Sequence, residues 1–250
     1  MRVLVCVKRV PLTGGRMVLT EDDQALETRH LGFTISPHEE CGVEEAVRLV
    51  EQHGGEVTVL ALGPPEAEEQ IRDTLAIGAD RGILVATDGG EWDPQATAAA
   101  IVAAVRAEEE FDLIVFGNES ADSGNYQVGI RVAHALGRPV VTGLKGLSVE
   151  DGVARCEQEV PGGRDVYRVP LPAVVSVLEG INLPRYPSVP AKLRARSKPV
   201  ETVSPERPGA RLEKLRLVVP GGPGKQAEIL GEGAGAAPAV VNVMRELGVA

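Results

Sequence analysis

The sequence is poor in aromatic residues and cysteine, and it contains no long apolar run. It has one Trp, three Tyr and three Phe among 250 residues, so its core must be built from aliphatic side chains. The three cysteines, Cys6, Cys41 and Cys156, lie far apart and form no Cys-x-x-Cys motif, which favours a reducing compartment. No segment approaches the roughly 20 apolar residues of a membrane span, and the first ten residues lack the apolar region of a secretory signal. We therefore expect a cytoplasmic protein that is not inserted in a membrane.

The charge balance is acidic. The chain carries 36 acidic and 26 basic residues, for a formal net charge of -10. A field of this sign repels phosphate backbones, which argues against a nucleic-acid partner. The four histidines are scattered without partners four residues away, so the sequence predicts no dedicated metal site.

Common catalytic and phosphate-binding motifs are also missing. No G-x-G-x-x-G fingerprint follows the first apolar run, where Cys6-Val7-Lys8-Arg9-Val10-Pro11 stands instead. No serine lies in a G-x-S-x-G nucleophile elbow. The residues therefore indicate a binding protein without catalytic residues of its own rather than an enzyme.

Short apolar runs without alternation are typical of strands that are buried on both faces of a parallel sheet. Such runs occupy residues 3–7, 57–62, 82–85, 113–116, 139–141 and 173–177. Helix-start signals lie between them at Ser36-Pro37, Pro65, Asp93-Pro94 and Asp122-Ser123. Strands that alternate with helices form right-handed crossovers. The pattern predicts an α/β fold with a doubly wound, mostly parallel sheet of the Rossmann or flavodoxin type.

After residue 141 the pattern becomes that of β-hairpins. Apolar segments at 144–149, 153–160 and 164–169 are separated by Gly-containing turns, which predicts an antiparallel addition at one sheet edge. From residue 183 the chain is rich in proline and glycine, and residues 239–247 have the spacing of a short amphipathic helix. We therefore divide the chain into an α/β domain, residues 1–190, and an extended C-terminal arm, residues 191–250.

Basic residues alternate along the start of this arm, at Lys192, Arg194, Arg196 and Lys198. The alternation favours a solvated strand face. The alternative is a docking edge for an acidic partner.

Ligands of open α/β sheets bind beyond the carboxyl ends of the strands. The candidate loops are 8–15, 35–39, 63–66 and 117–128. The last of these precedes a predicted helix whose free N–H groups suit a phosphate, and Ser123, Asn125 and Gln127 can add donors. The alternative is that Asp122 or Ser123 simply caps the helix.

Three blocks of the sequence resemble the β subunits of electron transfer flavoproteins. The segment from Arg2 to Val10 is similar to the opening strand of that family. Residues 43–49, VEEAVRL, and 74–82, TLAIGADRG, are similar to its first two helices. Residues 171–175, LPAVV, and 183–190, LPRYPSVP, are similar to a late strand and to the partner-recognition loop.

The resemblance implies an adenine-nucleotide-binding α/β fold in a noncovalent heterodimer. Its α subunit would hold most of the redox FAD, whereas this subunit would bind AMP structurally, and residues 191–250 would wrap the α subunit. Electrons of fatty acid oxidation would pass from acyl-CoA or related flavoprotein dehydrogenases through FAD to a membrane quinone reductase.

The resemblance also implies an AMP site. Main-chain groups would do much of the adenine recognition, and the phosphate would lie at the helix start after Ser123. The implied site residues are Cys6, Ser36, Pro37, His38, Glu39, Leu62, Gly63, Ser120, Asp122, Ser123, Gly124, Asn125, Tyr126, Gln127 and Val128. Val128 departs from the family, which often has a hydroxyl residue there.

Partner-binding residues follow from the same resemblance. The recognition loop, residues 183–192, would present Arg185, Tyr186 and Val189, with Val189 as the apolar anchor that enters a pocket on the dehydrogenase. Glu159 would pair with an arginine of the α subunit. The alternative for Val189 is a turn residue packed on its own domain.

Two other functions stay open from the sequence. The stretch Gln127-Val128-Gly129 also resembles flavin-bifurcating members, in which a second FAD replaces AMP. The other alternative is a stand-alone adenine-nucleotide sensor or ATPase of similar fold, although the sequence lacks a Gly-rich phosphate loop after the first strand.

Overall fold

The computed structural model describes residues 1–12, 18–209, 211–219 and 228–249. The strands are β1 (Arg2–Val7), β2 (Val10–Pro11), β3 (Phe33–Thr34), β4 (Glu56–Gly63), β5 (Arg81–Ala86), β6 (Leu113–Gly117), β7 (Val140–Glu150), β8 (Val153–Val160), β9 (Gly163–Pro170), β10 (Ala173–Val177) and β11 (Val200–Val203). The helices are α1 (Pro37–His53), α2 (Glu68–Ile77), α3 (Pro94–Ala107), α4 (Val128–Leu136), α5 (Val189–Ala195) and α6 (Ala237–Glu246), and short 3₁₀ turns precede α2 and α6.

Nine strands form one sheet in the order β11-β5-β4-β1-β6-β10-β7-β8-β9. The strands from β11 to β7 pair in parallel, whereas β8 and β9 pair antiparallel. Strands β2 and β3 form a separate antiparallel ribbon. The predicted doubly wound, mostly parallel sheet with an antiparallel addition at one edge is confirmed.

Helices cover both faces of the sheet. On one face α1 and α2 pack on the alternate β1 side chains Val3 and Val5. On the other face α3 and α4 pack on Leu4 and Cys6. Because β1 is buried on both faces, its sequence shows no alternation, as the prediction assumed.

Local signals place most helix starts correctly. The Asp93 side chain accepts a hydrogen bond from the N–H of Ala96 at 2.7 Å and caps α3, whose first residue is Pro94. At α1, the Ser36 N–H donates to the carboxylate of Glu39 at 3.0 Å, as a capping box requires.

The predicted basic strand face at residues 192–198 is wrong. Residues Val189–Ala195 form α5, and the Ser188 hydroxyl accepts a hydrogen bond from the N–H of Ala191 at 3.4 Å. Pro190 lies in the first turn, where its missing N–H costs nothing. The segment is therefore a capped helix, although its basic residues alternate.

Lys198 is partly buried rather than on a solvated face. Its ammonium donates to the carbonyls of Leu75 and Ala79 at 3.1 and 2.5 Å, near the C-terminal end of α2, and burial lowers its pKa. Beyond it, β11 pairs with β5 at the sheet edge. The first part of the arm thus packs on the sheet, and the domain boundary at residue 190 stays a prediction.

The amphipathic helix predicted at the end of the arm is present as α6. Its apolar residues Val240, Val243 and Met244 are between 37 and 43% exposed. Within the described ranges, no helix is long and apolar enough to cross a lipid bilayer.

Candidate nucleotide-binding cleft

A cleft of about 960 Å³ opens at the carboxyl ends of β1, β4 and β6. Strands β4 and β6 pair with opposite edges of β1, so the cleft lies where the strand order reverses. Apolar side chains form its floor, and polar loops form its rim. The apolar residues include Leu60, Leu62, Ile101, Phe116 and Val174.

Lys8 ties the end of β1 to the loop that precedes α4. Its ammonium lies 2.8 Å from Oδ1 and 2.7 Å from Oδ2 of Asp122, and it donates to the Ser123 hydroxyl at 3.0 Å. The Ser120 and Ser123 hydroxyls are 3.0 Å apart. Burial raises the pKa of Asp122, but the charge and hydrogen bond of Lys8 outweigh this and hold the pKa below its usual range. The Asp122 carboxyl is therefore ionised at neutral pH.

The prediction that α4 begins near Asp122-Ser123 is wrong. The helix begins at Val128, with Gln127 as its N-cap. Gly124 and Tyr126 have φ angles of 52° and 56°, in the left-handed region, which interrupts a right-handed helix. Neither Asp122 nor Ser123 caps α4.

The same turn changes the expected phosphate position. The free N–H groups of the first helical turn follow Gln127 rather than Ser123. Ser120 and Ser123 remain on the cleft wall together with Gln127 and Val128, so side-chain hydroxyls of the loop and the start of the helix line the same cleft.

Glu39 is a buried carboxyl on the cleft wall. Glu39 is 5% exposed. Gly117 lies so close to it that a Cβ at position 117 would be 2.7 Å from Glu39 Cγ. Burial raises the pKa of Glu39 to about 8, although hydrogen bonds from the N–H groups of Ser36 and Lys8 lower it in part. Glu39 is thus mostly protonated near pH 7.

Glu119 connects the loop to the start of α1. Its carbonyl accepts a hydrogen bond from the Ser36 hydroxyl at 3.2 Å, and its carboxylate lies 3.4 Å from His38 Nε2. His38 Nδ1 accepts a hydrogen bond from the N–H of Glu179 at 2.8 Å. Ser36 and His38 therefore support the loop from behind.

The cleft brings together most of the site residues expected from the resemblance. Those on its wall are Cys6, Glu39, Leu62, Gly63, Ser120, Asp122, Ser123, Asn125, Tyr126, Gln127 and Val128. The other expected residues are close to wall residues in the sequence but are not on the wall themselves. They are Ser36, Pro37, His38 and Gly124. The Gln127 side chain accepts a hydrogen bond from Arg131 Nε at 2.9 Å.

A segment far along the chain crosses the mouth of the cleft. We call residues 211–219 the strap. The N–H groups of Arg211 and Leu212 donate to Asp93 Oδ2 at 2.7 and 3.4 Å, and Lys214 Nζ lies 2.5 Å from the Glu91 carboxylate. These contacts fix one side of the strap to the loop before α3.

The opposite side of the strap contacts the loop after β2. Gln24 Nε2 donates to the carbonyl of Leu215 at 2.8 Å, and the Leu217 N–H donates to the carbonyl of Asp23 at 2.8 Å. Lys214 and Leu217 line the cleft, whereas Leu215 is 82% exposed. The strap is therefore held by a few polar contacts and little apolar burial.

Several wall residues were not predicted from the sequence. These are Trp92, Glu91, Lys214 and Leu217. Arg9, in the predicted loop 8–15, also lies on the wall, and its guanidinium is 3.2 Å from the centroid of the Phe33 ring. The loop that holds Trp92 follows a predicted strand, so the sheet-end rule could have included it. No local signal predicts that the strap lines the cleft, because its first residue, Arg211, is 118 residues beyond its contact Asp93 in the sequence.

Cys6, near the end of β1, is not an activated nucleophile. Burial, followed by the charge of Glu39, raises the pKa of the Cys6 thiol, so the thiol stays protonated. In the part of the chain that the structure describes, no group of three or more His, Cys, Asp or Glu side chains is placed to hold a metal ion. Apolar walls beside hydroxyls, an ammonium and helix N–H groups suit a ligand with a flat ring and an anionic end.

The expected partner-binding residues lie elsewhere. Tyr186 and Val189 are 90 and 72% exposed, in and beside the loop before α5. Arg185 instead turns its guanidinium onto Glu44 and Glu51 of α1. The Glu159 carboxylate lies 3.7 Å from Arg164 on the neighbouring strand β9.

Comparisons with known proteins place the chain in a family. The model of the electron transfer flavoprotein domain matches residues 25–208. Over 230 residues the chain is 37% identical to electron transfer flavoprotein subunit beta of Syntrophomonas wolfei, covering 92% of this chain and 89% of that protein. It is 34% identical over 206 residues to the protein of the same name from Bacillus subtilis, covering 80 and 78%.

A further relative carries a different name. The chain is 31% identical over 202 residues to caffeyl-CoA reductase-Etf complex subunit CarD of Acetobacterium woodii, covering 80% of this chain and 77% of that protein. The match to the domain model and the extent of these identities agree with the resemblance seen in the sequence. The chain therefore belongs to the electron transfer flavoprotein family, in the group of its β subunits.

Proposed function

We propose that this chain is the nucleotide-binding subunit of a two-subunit electron carrier and that its cleft holds AMP as a structural ligand. Members of its family are electron carriers rather than enzymes. The observation that carries the proposal is the cleft at the strand-order reversal, with an apolar floor and a wall formed by the loop before α4. This combination suits a base and a phosphate at opposite ends.

Residues of this chain have distinct roles in the proposal. Leu62 and Gly63, at the end of β4, and Cys6 border the space for adenine. Ser120, Ser123 and the N–H groups at the start of α4 serve the phosphate, and Lys8 adds a positive charge. Two carboxylates, Glu119 and Asp122, lie in the same loop, so the ion pair of Asp122 with Lys8 reduces repulsion of the phosphate.

The proposed partner is the α subunit of the family, which carries the FAD. FAD in the assembled carrier supplies the electron-accepting and electron-donating chemistry. This chain would contribute a scaffold, with α6 at the end of the arm lying against the α subunit. Val240, Val243 and Met244 support this role, since they are apolar and between 37 and 43% exposed.

The loop before α5 is the proposed docking site for acyl-CoA or related flavoprotein dehydrogenases. Leu183, Tyr186, Val189 and Leu193 are between 58 and 90% exposed. An exposed aliphatic side chain that becomes buried contributes about 1.5–3 kcal/mol, which suits an anchor in a transient complex. From FAD the electrons would pass to a membrane quinone reductase.

A second candidate is the flavin-bifurcating role, with another FAD in place of AMP. The volume of the cleft, about 960 Å³, favours this candidate, because ligand pockets span about 300–1,000 Å³ and a mononucleotide needs only part of that space.

Nucleotide extraction decides between the two. The assembled heterodimer is denatured, and released AMP and FAD are separated and quantified against protein. The proposal predicts equal amounts of AMP and FAD. Two FAD and no AMP per heterodimer would support bifurcation, and absence of any adenine nucleotide other than one FAD would exclude both.

A further inference from the structure

We infer that Arg185 and Glu44 form a clamp that positions the docking loop, residues 183–189, and that Arg185 acts on partner binding through this clamp rather than by touching the partner. The inference rests on the docking function proposed above. It assigns to α1 an indirect role in partner recognition. The helix would hold the loop in place, and the exposed apolar side chains of the loop would contact the partner.

Glu44 is the centre of the clamp. Its side chain is 2% exposed, and its carboxylate accepts three hydrogen bonds from Arg185: from the backbone N–H at 3.1 Å, from Nε at 2.9 Å and from Nη2 at 3.2 Å. The loop backbone and the side chain are thus bound by one carboxylate. A buried carboxylate that is satisfied in this way fixes both orientation and register.

Two further α1 residues extend the clamp. Arg185 donates to the Glu51 carboxylate at 2.6 and 2.9 Å, through Nη1 and Nη2. Arg48 donates to Glu44 at 2.7 Å and to the carbonyl of Leu183 at 3.3 Å. The loop is therefore held to α1 at Leu183 and at Arg185.

Asn182 holds the start of the loop. Its side-chain amide donates to the carbonyl of Cys41 at 2.9 Å and to the carboxylate of Glu45 at 2.8 Å. The polar groups of the loop start are consequently directed to α1, whereas the side chains of Leu183, Tyr186 and Val189 are 83, 90 and 72% exposed.

The clamp is an ionised pair. Burial raises the pKa of Glu44, but hydrogen bonds from Arg185 and Arg48 outweigh it and hold the pKa below its usual range. The two carboxylates raise the pKa of Arg185. Because the guanidinium already serves Glu44 and Glu51, little of its donor capacity is left for a partner. A lysine cannot reproduce this geometry, since it lacks the planar fork of donors.

The experiment measures electron transfer from a purified acyl-CoA dehydrogenase to the assembled heterodimer. Arg185→Ala removes the two side-chain hydrogen bonds to the buried Glu44 carboxylate and leaves those from the backbone N–H and from Arg48, and this loss can destabilise the chain. We therefore pair it with Arg185→Lys and with the double variant Arg185→Ala/Glu44→Gln. Arg168→Ala is the matched control, because it removes the same charge from an exposed side chain on β9, away from the docking loop in the sequence.

We expect the KM for the heterodimer to rise about tenfold in the double variant and about threefold in Arg185→Lys, as expected for partial loss of a docking contact. The kcat, the AMP and FAD content and the reduction of FAD by dithionite should stay unchanged. Amide hydrogen exchange of residues 183–189 should accelerate by about tenfold or more as the loop loses its clamp. Arg168→Ala should match the wild type in every measurement.

Val189→Ala separates failure of the inference from failure of the docking proposal. If Val189→Ala raises the KM but all Arg185 variants leave both the KM and loop exchange unchanged, the clamp is refuted and docking stands. If Arg185 variants raise the KM without faster loop exchange, Arg185 touches the partner directly and the positioning role is wrong. If Val189→Ala leaves the KM unchanged, the docking proposal and the inference both fall.

Discussion

Lys8, the first residue after β1, and Asp122, in the loop before α4, form an ion pair with Nζ–Oδ distances of 2.8 and 2.7 Å. The two residues are 114 positions apart, and their contact closes one end of the cleft. The pair places a positive charge beside the hydroxyls of Ser120 and Ser123.

Replacing Lys8 tests whether this end of the cleft receives a phosphate. Lys8→Ala should weaken AMP binding about tenfold or more, because hydrogen bonds to charged groups contribute about 1.5–3 kcal/mol. Calorimetric titration of AMP into nucleotide-stripped heterodimer measures the effect. Arg168→Ala, which removes a charge from exposed β9, is the control. Equal affinities in wild type and Lys8→Ala would place the phosphate elsewhere.

The strap should slow the release of nucleotide. Lys214→Ala removes the contact with Glu91, and an exposed ion pair of about 0.2–1 kcal/mol corresponds to about a 1.4- to fivefold faster dissociation of radiolabelled AMP. Arg216→Ala is the matched control, since it removes a positive charge from an exposed strap residue for which no hydrogen bond or ion pair is found within the described ranges. Identical dissociation rates in all three proteins would show that the strap does not cover the ligand.

Glu39 should make stability depend on pH. Its pKa is about 8 in the folded chain against 4.5 for a free side chain. Between these values the folded chain keeps a proton that the unfolded chain releases, so the free energy of unfolding falls as the pH rises. The contribution is fully present below about pH 4.5 and is lost above about pH 8.

Glu39→Gln removes this dependence. Urea unfolding of the purified chain at pH 5.5 and pH 8 should show a larger loss of stability in the wild type than in the variant, by up to a few kcal/mol. The difference between the two proteins isolates Glu39 from the other carboxyls. A loss of equal size in both would mean that Glu39 is ionised throughout.

The packing of Glu39 against Gly117 should require that residue 117 has no side chain. A Cβ at this position would lie 2.7 Å from Glu39 Cγ and 3.1 Å from the Glu39 backbone nitrogen. Gly117→Ala should therefore cost about 1–3 kcal/mol of unfolding free energy and reduce AMP occupancy. Gly163→Ala has no neighbour within 4 Å and serves as the control. A Gly117→Ala variant as stable as that control would indicate that Glu39 moves without cost.

The sequence predicts the sheet and most helix starts because their signals are local. The runs at β1, β4, β5, β6 and β10 are apolar on both faces, and the Asp93-Pro94 start of α3 has a cap and a proline in adjacent positions. Each of these signals lies within a few residues of the element that it predicts.

The late start of α4 is not visible in the same way. Gly124 is compatible with left-handed backbone, but Tyr126 at φ 56° is not a residue that marks such a turn. The alternating basic residues before Lys198 wrongly predict a strand. The helix α5 is only seven residues long, which is too short to show a helical periodicity in the sequence.

The far side of the cleft depends on tertiary contacts. Asp93 acts both as the cap of α3 and as the acceptor for the strap, which lies 118 residues further along. The cap is predictable from its neighbours, whereas the strap contact is set by the path of the chain across the folded domain.

The content of the cleft tests the account most directly. A crystal structure of the purified heterodimer, prepared without added nucleotide, would show what lies between the ends of β1 and β6. The account predicts one AMP, with its base beside Leu62 and Gly63 and its phosphate near Ser123 and the start of α4. An FAD in this cleft, or a cleft that contains only solvent, would contradict it.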